Sequence, residues 1–338
     1  MGKLTIEGTL DLSQFWPIGE SDADTTKIVL TVLPGAVQYQ PTNDVPRPTT
    51  KYDDAGVKSF GKLKPVIKEG KITVRLQGID APELHFQPQS LKGKTSKGQP
   101  FGSLKGSGLV KKYRQRQAET ATVRLGRFLS TLGTSPLPCR FQTEVTDHEG
   151  PADVVDKYGR FVGNVLVNEI DINLEILRQG LAIVALYNSM HPAEMDACLE
   201  AWAIGKTATD GVAQYQTRTI GEFDPQLLYQ SPATATLKPE KTKRFIHPKL
   251  YRRQCTWWAY RKLGTFKGGF DTYLSLFPDD VFFERASMRD EGFLAATPFQ
   301  IEKMVKAGRQ IIYGPDEVVF KEAGSRLFTA EGQPIEKW

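Results

Sequence analysis

Residues 74–83 read Val74-Arg75-Leu76-Gln77-Gly78-Ile79-Asp80-Ala81-Pro82-Glu83 and place one arginine and two acids along and just beyond a single apolar stretch. Alternating apolar residues at 72, 74 and 76 predict a half-buried β-strand over 71–79, which the proline at 82 should end. A bulky cation in such a strand, followed by two carboxylates, predicts a functional site. The alternative is a structural salt bridge between Arg75 and Asp80.

Two further charged clusters lie beside predicted strands. Asp22-Ala23-Asp24-Thr25 precedes a predicted strand over 27–33, and Asp156-Lys157-Tyr158-Gly159-Arg160 precedes one over 161–167. Together the clusters supply oxygen ligands for a hard cation, a carboxylate for a water proton, and two guanidiniums for a phosphate. These are the groups that phosphodiester cleavage needs, and solubility alone does not explain them.

The predicted elements of the first 215 residues follow the order β-β-β-α-β-β-α-α. The remaining strands are predicted at 4–10 and 139–145, and the helices at about 109–131, after an Asp171 N-cap, and from His191-Pro192 onward. This order favours an α+β fold, a five-stranded OB-fold barrel with three packed helices. Insertions are expected at about 34–65, as a long loop or short hairpin, and at about 85–108, as a mobile Gly/Lys/Ser-rich segment.

The rest of the chain is predicted to hold a linker and a smaller unit. Residues 216–243 are rich in Thr, Pro and Lys, and residues 244–338 predict a mixed α/β domain. Its predicted elements are helices at 250–263 and 301–308 and strands at 310–313 and 318–321. Asp279, Asp280 and Glu284 are expected to form an exposed face.

Composition excludes several protein classes. Hydrophobic residues make up 40% and charged residues 25% of the 338 residues, which are ordinary globular values. No apolar run approaches the roughly 20 residues of a membrane span, and the first residues lack a signal-peptide pattern. We therefore expect a cytoplasmic protein that does not contact a membrane. Cys139, Cys198 and Cys255 are expected to be three buried thiols, without a disulfide framework or structural zinc site.

Basic residues are concentrated in two segments without acids. Residues 85–117 contain eight Lys/Arg and residues 241–270 contain nine, although the net charge is only +5. Such segments are typical of proteins that bind a polyanion. In the second segment, basic and aromatic residues alternate. This pattern fits either a surface for single-stranded nucleic acid or a helix that buries Trp257, Tyr260 and Leu263, or Trp258 on another face.

The charged motifs resemble those of the staphylococcal nuclease (thermonuclease) family. Residues 75–83 match its Arg-x4-Asp-[Thr/Ala]-Pro-Glu signature, and residues 156–160 are the same pentapeptide that the family uses. Residues 22–25 are similar to its Asp-Gly-Asp-Thr turn, with Ala23 in place of the glycine, and residues 173–185 are similar to a family helix. The resemblance covers about residues 1–215 and leaves the last third unexplained.

The resemblance implies a metal site and catalytic groups. Asp24, Asp80 and the backbone carbonyl of Ala81 would bind Ca²⁺, with Mn²⁺ or Mg²⁺ as alternatives, and Asp22 would orient ligands or waters. Glu83 would act as general base or orient the attacking water. The scissile phosphate would be bound by Arg75 and Arg160.

Further residues would contact the substrate. Lys157 and Tyr158 would touch a phosphate or nucleotide, or else are exposed residues of a turn. The family's tyrosine after the helix aligns with Leu186, so Tyr187 is expected to substitute for it. Lys111 and Lys112 belong to a basic loop that would position phosphates without reading sequence.

These inferences predict a Ca²⁺-dependent nuclease. It would hydrolyse DNA, RNA or both by in-line attack of water, with low sequence specificity and 3′-phosphate products. The alternative is a non-catalytic nucleic-acid-binding or scaffold protein on the same fold. The C-terminal unit is expected to bind nucleic acid or another protein, and the sequence leaves open the choice between DNA and RNA and between endo- and exonuclease action.

Overall fold

A computed structural model describes residues 2–32, 34–59, 62–91, 101–146, 149–237, 244–288 and 296–338. Its helices are α1 (Ala118–Thr131), α2 (Ile172–Arg178), α3 (Pro192–Gly205), α4 (Pro248–Lys262) and α5 (Phe270–Leu274). Its strands are β1 (Gly2–Leu10), β2 (Thr25–Leu30), β3 (Val37–Gln40), β4 (Arg47–Pro48), β5 (Gly56–Ser59), β6 (Lys62–Pro65), β7 (Ile67–Lys68), β8 (Lys71–Leu76), β9 (Ile79–Asp80), β10 (Leu137–Val145), β11 (Phe161–Val167), β12 (Ile170–Asp171), β13 (Ile183–Val184), β14 (Leu186–Tyr187), β15 (Val281–Glu284), β16 (Phe299–Gln300), β17 (Val305–Lys306), β18 (Gln310–Ile311), β19 (Val318–Phe320), β20 (Leu327–Phe328) and β21 (Pro334–Ile335).

Five strands close into a mixed β-barrel, as the sequence predicts. β1 pairs antiparallel with both β2 and β10, β2 pairs with β8, and β10 pairs with β11. A parallel pairing of β11 with β8 completes the ring. Buried and exposed side chains alternate along β8 and β11, because one face of each strand lines the barrel core. The OB-fold prediction is confirmed.

The three predicted helices of this region are present. Asp171 caps α2 by accepting from the amide of Leu174, and His191 caps α3 in a capping box with Glu194. The first helix begins at Ala118 rather than near residue 109, since Gln117 has φ +71°, a left-handed conformation that does not continue a helix.

The first insertion is more ordered than expected. β3 pairs with β1 and extends the barrel sheet, whereas β5 and β6 form an antiparallel pair. Of the two predicted alternatives, the short hairpin is therefore confirmed for β5 and β6, and the long loop is wrong. Near the other end of the described chain, β20 pairs with β5 and β21 with β20, so distant segments of sequence share one four-stranded sheet.

The second insertion is also packed where the structure describes it. Phe101 and Leu104 are buried in a second core with residues of α4, so this flank packs against the C-terminal region, and mobility of the segment stays a prediction. Residues 92–100, with Lys92, Lys94 and Lys97, lie outside the described residues, as do His148, Lys241 and Lys243.

The C-terminal region is a mixed α/β structure that shares a sheet with the barrel region. β19 pairs with β15 on one side and, in parallel, with β14 on the other. The stretch predicted as a linker also makes contacts: the Trp16 indole donates to the carbonyl of Gln230 at 3.1 Å. The division of the chain into two domains stays a prediction, but hydrogen bonds cross it.

Several C-terminal expectations need correction. Residues 301–308 do not form one helix: Ile301–Met304 is a 3₁₀ turn, and β17 and β18 follow as a hairpin with Ala307 at φ +50° and Gly308 at φ +68°. Asp280 does not lie on an exposed face, because it pairs with Lys249 at 3.1 Å and with Arg253.

For the basic and aromatic segment, the structure shows the predicted helix that buries aromatic residues. This helix, α4, buries Tyr260 and partly buries Trp257 and Trp258, although Leu263 is exposed. All three cysteines are buried and free, as expected. Among the described helices, none combines the length and apolar character needed to cross a bilayer.

Gly205 is predicted to be essential for the packing of α3 against α2. A Cβ at this position would overlap the carbonyl oxygen of Leu177. Gly205→Ala should therefore lower the free energy of unfolding by about 1–3 kcal/mol, the usual cost of overpacking. Gly126→Ala in α1 is the matched control, because nothing lies within 4 Å of its Cβ. Helix propensity should make this control neutral or slightly stabilising. Equal Tm values for the two variants in thermal denaturation would contradict the packing argument.

Candidate active site

Strand pairing brings the three charged clusters to one end of the barrel. Thr25 of β2 lies opposite Arg75 of β8, and Arg75 in turn lies opposite Val162 of β11. The amide of Leu76 donates to the carbonyl of Asp24 at 2.9 Å, which fixes the turn before β2 against the end of β8. Residues 22–25, 75–83 and 156–160 therefore surround a common region.

The aspartates converge on the segment after β8. Asp24 Oδ2 accepts from the amide of Ala81 at 3.3 Å, and Asp22 Oδ1 accepts from the amide of Leu84 at 2.9 Å. Burial and the nearby charge of Asp24 raise the pKa of Asp22 to about 7. Ala23 does not have a positive φ, so the turn at residues 22–25 does not require glycine at this position.

Asp80 is the most buried carboxylate of this group. It is 2% exposed, and within the described residues its Oδ1 has no hydrogen-bond partner. A buried carboxylate oxygen without a partner is costly, and a bound cation is one way to satisfy it.

Both predicted arginines are held by specific partners. Arg75 lies on the outer face of β8 and donates from Nη2 to the hydroxyl of Tyr187 at 2.7 Å. In the part of the chain that the structure describes, no ion pair joins it to Asp80, so the structural salt bridge is not observed. Arg160 donates from Nε to Asp156 Oδ2 at 2.8 Å and from Nη1 to Thr25 Oγ1 at 3.2 Å.

Asp156 organises the turn that carries Arg160. Its Oδ1 accepts from the amides of Tyr158 at 2.9 Å and Arg160 at 3.0 Å, while Oδ2 holds the guanidinium. Gly159 has φ +82°, which this tight turn requires. Asp156 belongs to the motif at residues 156–160, but the sequence did not predict this role for it.

Glu83 contacts an arginine that sequence reasoning did not place at the site. Its Oε1 accepts from Nη1 of Arg252 in α4, and the same nitrogen lies 3.8 Å from Asp80 Oδ1. Burial raises the pKa of Glu83 to about 8, against the opposing effect of Arg252 and with the support of Asp22, Asp80 and Asp24. The only sequence signal for Arg252 was the acid-free basic segment.

His247 is a second residue that the sequence did not assign to the site. It is 4% exposed, caps α4 by accepting from the amide of Lys249 at Nδ1, and lies 3.6 Å from Asp80 Oδ2. Burial, with the nearby Arg252 and Lys249 charges, lowers the pKa of His247 well below its ordinary value. Since Nδ1 accepts from an amide, this nitrogen carries no proton, and its contact with Asp80 is not a charge-assisted hydrogen bond.

The predicted tyrosines occupy different environments. Tyr187 reaches Arg75 with its hydroxyl, whereas Leu186 is buried in the core. One ring face of Tyr187 stacks on Phe320 at a centroid distance of 5.3 Å, which leaves that face unavailable to a base. Tyr158 is 55% exposed, with the Lys157 ammonium 5.3 Å and the Arg160 guanidinium 5.5 Å from its ring centroid.

The predicted basic loop contains both surface charges and internal ion pairs. Lys111 is exposed, and Lys112 lies 3.4 Å from Glu20. Arg114 is 5% exposed and pairs with Glu119, so the expectation of a surface charge is wrong there. Arg116 is also mostly buried, and its guanidinium pairs with Asp224 at 3.1 Å. His85 contacts the carbonyl of Glu20 at 2.8 Å.

The donor set fits a hard divalent cation. Asp24, Asp80 and the Ala81 carbonyl would offer oxygen donors, the type that such a cation prefers, and Asp80 Oδ1 has no hydrogen-bond partner among the described residues. No group of three or more His, Cys, Asp or Glu side chains in the described residues is arranged to hold a metal by itself. An ion at this position would therefore also need backbone, water or substrate oxygens.

Comparison with known proteins supports the family resemblance for part of the chain. Residues 73–204 match the family model of the staphylococcal nuclease homologues, and the rest of the chain has no family match. A search of curated proteins gave no significant match. The matched range begins in β8 and ends in α3, so it includes Arg75, Asp80, Glu83 and Arg160 but not the Asp22–Thr25 turn. Residues 73–204 are thus similar to the staphylococcal nuclease homologues, and this similarity suggests a nuclease or nucleic-acid-binding function.

Proposed function

We propose that the protein is a divalent-cation-dependent nuclease that hydrolyses phosphodiester bonds of DNA, RNA or both. The observation that carries this proposal is that strand pairing brings Arg75 and Arg160 to one end of the barrel, beside the segment that holds Glu83 and a buried Asp80 oxygen without a hydrogen-bond partner. A purely structural charge cluster would be expected to satisfy such an atom.

Arg75 and Arg160 would bind the scissile phosphate and stabilise the charge that develops on it. Tyr187 and Asp156 hold the two guanidiniums before substrate arrives, so little reorganisation is needed in the transition state. Each guanidinium keeps further N–H groups for a phosphate, which takes two parallel hydrogen bonds from arginine.

Glu83 would accept a proton from the attacking water or orient that water. Its carboxylate takes the Arg252 contact at one oxygen, so a second oxygen is available for a water. A divalent cation held by Asp24, Asp80 and the Ala81 carbonyl would supply charge neutralisation at a phosphoryl oxygen. Asp22 would keep the chain after Glu83 in place through the Leu84 amide.

The surface around the site favours contacts with phosphates rather than bases. Lys111, Lys157 and Tyr158 are exposed, and none of them is placed by an element that would enter a nucleic-acid groove. Such contacts position a substrate without reading its sequence, which supports low sequence specificity.

A non-catalytic nucleic-acid-binding protein is the second candidate. The observation that favours it is the Arg252–Glu83 contact, which places a cation on the carboxylate assigned to the water. Cleavage assays with and without metal separate the two candidates.

Chelation should abolish cleavage. We expect labelled single-stranded DNA or RNA to be cut in the presence of Ca²⁺, Mg²⁺ or Mn²⁺ and to remain intact with EDTA, because the acids then lack the charge that neutralises the phosphate. The measurement is product formation on denaturing gels, with binding followed in parallel by fluorescence anisotropy. Binding without cleavage in every metal would favour the non-catalytic candidate.

Arg75→Ala and Glu83→Ala should each lower kcat/KM by at least ~100-fold, since each removes one transition-state or acid–base group. Arg140→Ala is a matched control, because Arg140 is a barrel-strand arginine whose ion-pair partner, Glu169, lies outside the site. Steady-state kinetics on all three variants, with circular dichroism to show that they fold, is the measurement. A folded Arg75→Ala or Glu83→Ala variant with the wild-type rate would refute the role.

Lys111→Gln combined with Lys112→Gln should mainly raise KM. Loss of two phosphate contacts should also reduce the slope of log K against log salt by about 0.7–0.9 per contact. Lys68→Gln with Lys71→Gln is the control pair, because β7 and the start of β8 lie at the opposite end of β8 from Asp80. A lower kcat with unchanged KM would instead assign these lysines to the chemistry.

A further inference from the structure

Gln115 links the residues just before α4 to the segment that carries Glu83. Gln115 is 2% exposed; it donates from Nε2 to the carbonyl of Ile246 at 2.6 Å and accepts from the amide of Glu83 at 3.3 Å. The backbone N–H of Gln115 also donates to the carbonyl of Glu83 at 2.6 Å. The Tyr251 hydroxyl donates to the carbonyl of Arg114 at 2.6 Å. The position of Arg252 is therefore fixed by buried hydrogen bonds on both sides.

Arg252 directs its charge into the acid cluster. Nη1 contacts Glu83 Oε1 and lies 3.8 Å from Asp80 Oδ1, the oxygen without a hydrogen-bond partner. The side chain is still 31% exposed, so it faces the part of the site that solvent and substrate can reach. His247 Nδ1, the nitrogen nearest Asp80, accepts from the amide of Lys249 and so carries no proton, whereas Arg252 brings a positive charge within 3.8 Å of Asp80.

We propose that Arg252 is a third arginine of the active site, which positions Glu83 and lowers the affinity of the Asp24–Asp80 region for a divalent cation. This inference rests on the proposed nuclease function. It assigns to the C-terminal region a role in the chemistry of the barrel, although that region matches no known family.

Two physical arguments support the assignment. A guanidinium contact with one carboxylate oxygen fixes the carboxylate plane, and a general base needs such fixed geometry toward its water. A positive charge near Asp80 also repels any cation that binds there, because at a few ångströms in a half-buried site like charges interact strongly. Arg252 should therefore weaken metal binding and at the same time increase turnover.

The opposite signs of these effects distinguish a positioning role from a structural role. Loss of a merely structural ion pair would lower stability and, through it, both metal binding and turnover. Arg253 offers the matched comparison: it is the next residue of α4, is similarly exposed, and pairs with Asp280, a carboxylate outside the site.

The experiment uses the full chain with Arg252→Ala, Arg252→Lys and Arg253→Ala. Calcium binding is measured by isothermal titration calorimetry with CaCl₂, and kcat and KM are measured on single-stranded DNA. Arg252→Ala should bind Ca²⁺ about tenfold more tightly and lose at least about tenfold in kcat. Arg252→Lys keeps the charge and should restore the wild-type calcium affinity, with kcat between those of the alanine variant and the wild type. Arg253→Ala should lower Tm and leave calcium affinity and kcat unchanged.

Several outcomes would overturn the proposal. Wild-type calcium affinity in a folded Arg252→Ala variant would do so, as would a parallel fall of Tm, calcium affinity and kcat like that of a destabilised protein. Absence of calcium binding by both the wild type and the Arg252→Ala variant would also refute it. If the wild type binds Ca²⁺ and cleaves no substrate while the alanine variant binds Ca²⁺ more tightly, the nuclease assignment fails and the effect of Arg252 on the cation site stands.

Discussion

The register in which β2, β8 and β11 pair is the constraint on which the site depends. Arg75 lies opposite Thr25 on one side and Val162 on the other, so both neighbouring clusters are located relative to it by backbone hydrogen bonds. A slip of one residue would turn Arg75 into the barrel core and bring Val74 to the outer face. The apolar residues Ile72, Val74 and Leu76 prevent this slip, since their burial is lost if the register changes.

Charge balance is the second requirement of this region. Asp22, Asp24, Asp80 and Glu83 lie close enough to influence one another, and burial adds to their mutual repulsion. Arg252 is only partly buried, and the nearby charges of Glu83, Asp80 and Asp24 raise its pKa and so favour the protonated form. By itself, such a cluster of buried acids lowers the stability of the fold. In the proposed site, a bound cation and the arginines would offset this repulsion.

Sequence was sufficient for the barrel because each of its strands carries a local signal. Alternation along residues 71–76 and 161–167, Asp171 as a cap and His191-Pro192 as a helix start all depend on neighbours within a few residues. The motif matches also identified the three charged clusters at residues 22–25, 75–83 and 156–160.

Other features depend on contacts between residues far apart, and these were missed. Arg252 and Glu83 are separated by 169 residues, and nothing near either one encodes their meeting. The pairing of β5 with β20, near residue 327, likewise could not be inferred from residues 34–65 alone. The start of α1 was misplaced, because the residues before Ala118 are locally compatible with a helix, whereas in the structure Tyr113 pairs with Phe86 and Leu228 and Gln117 is left-handed.

The short segment 183–187 has a mechanical consequence. Ile183 pairs with Asp80, Tyr187 contacts Arg75, and Leu186 and Tyr187 pair with β19. If the C-terminal sheet rotated about a hinge, Asp80 and Arg75 would therefore move with it. In the proposed active site, these two residues are thus tied to the C-terminal sheet, and movement of that sheet would displace them.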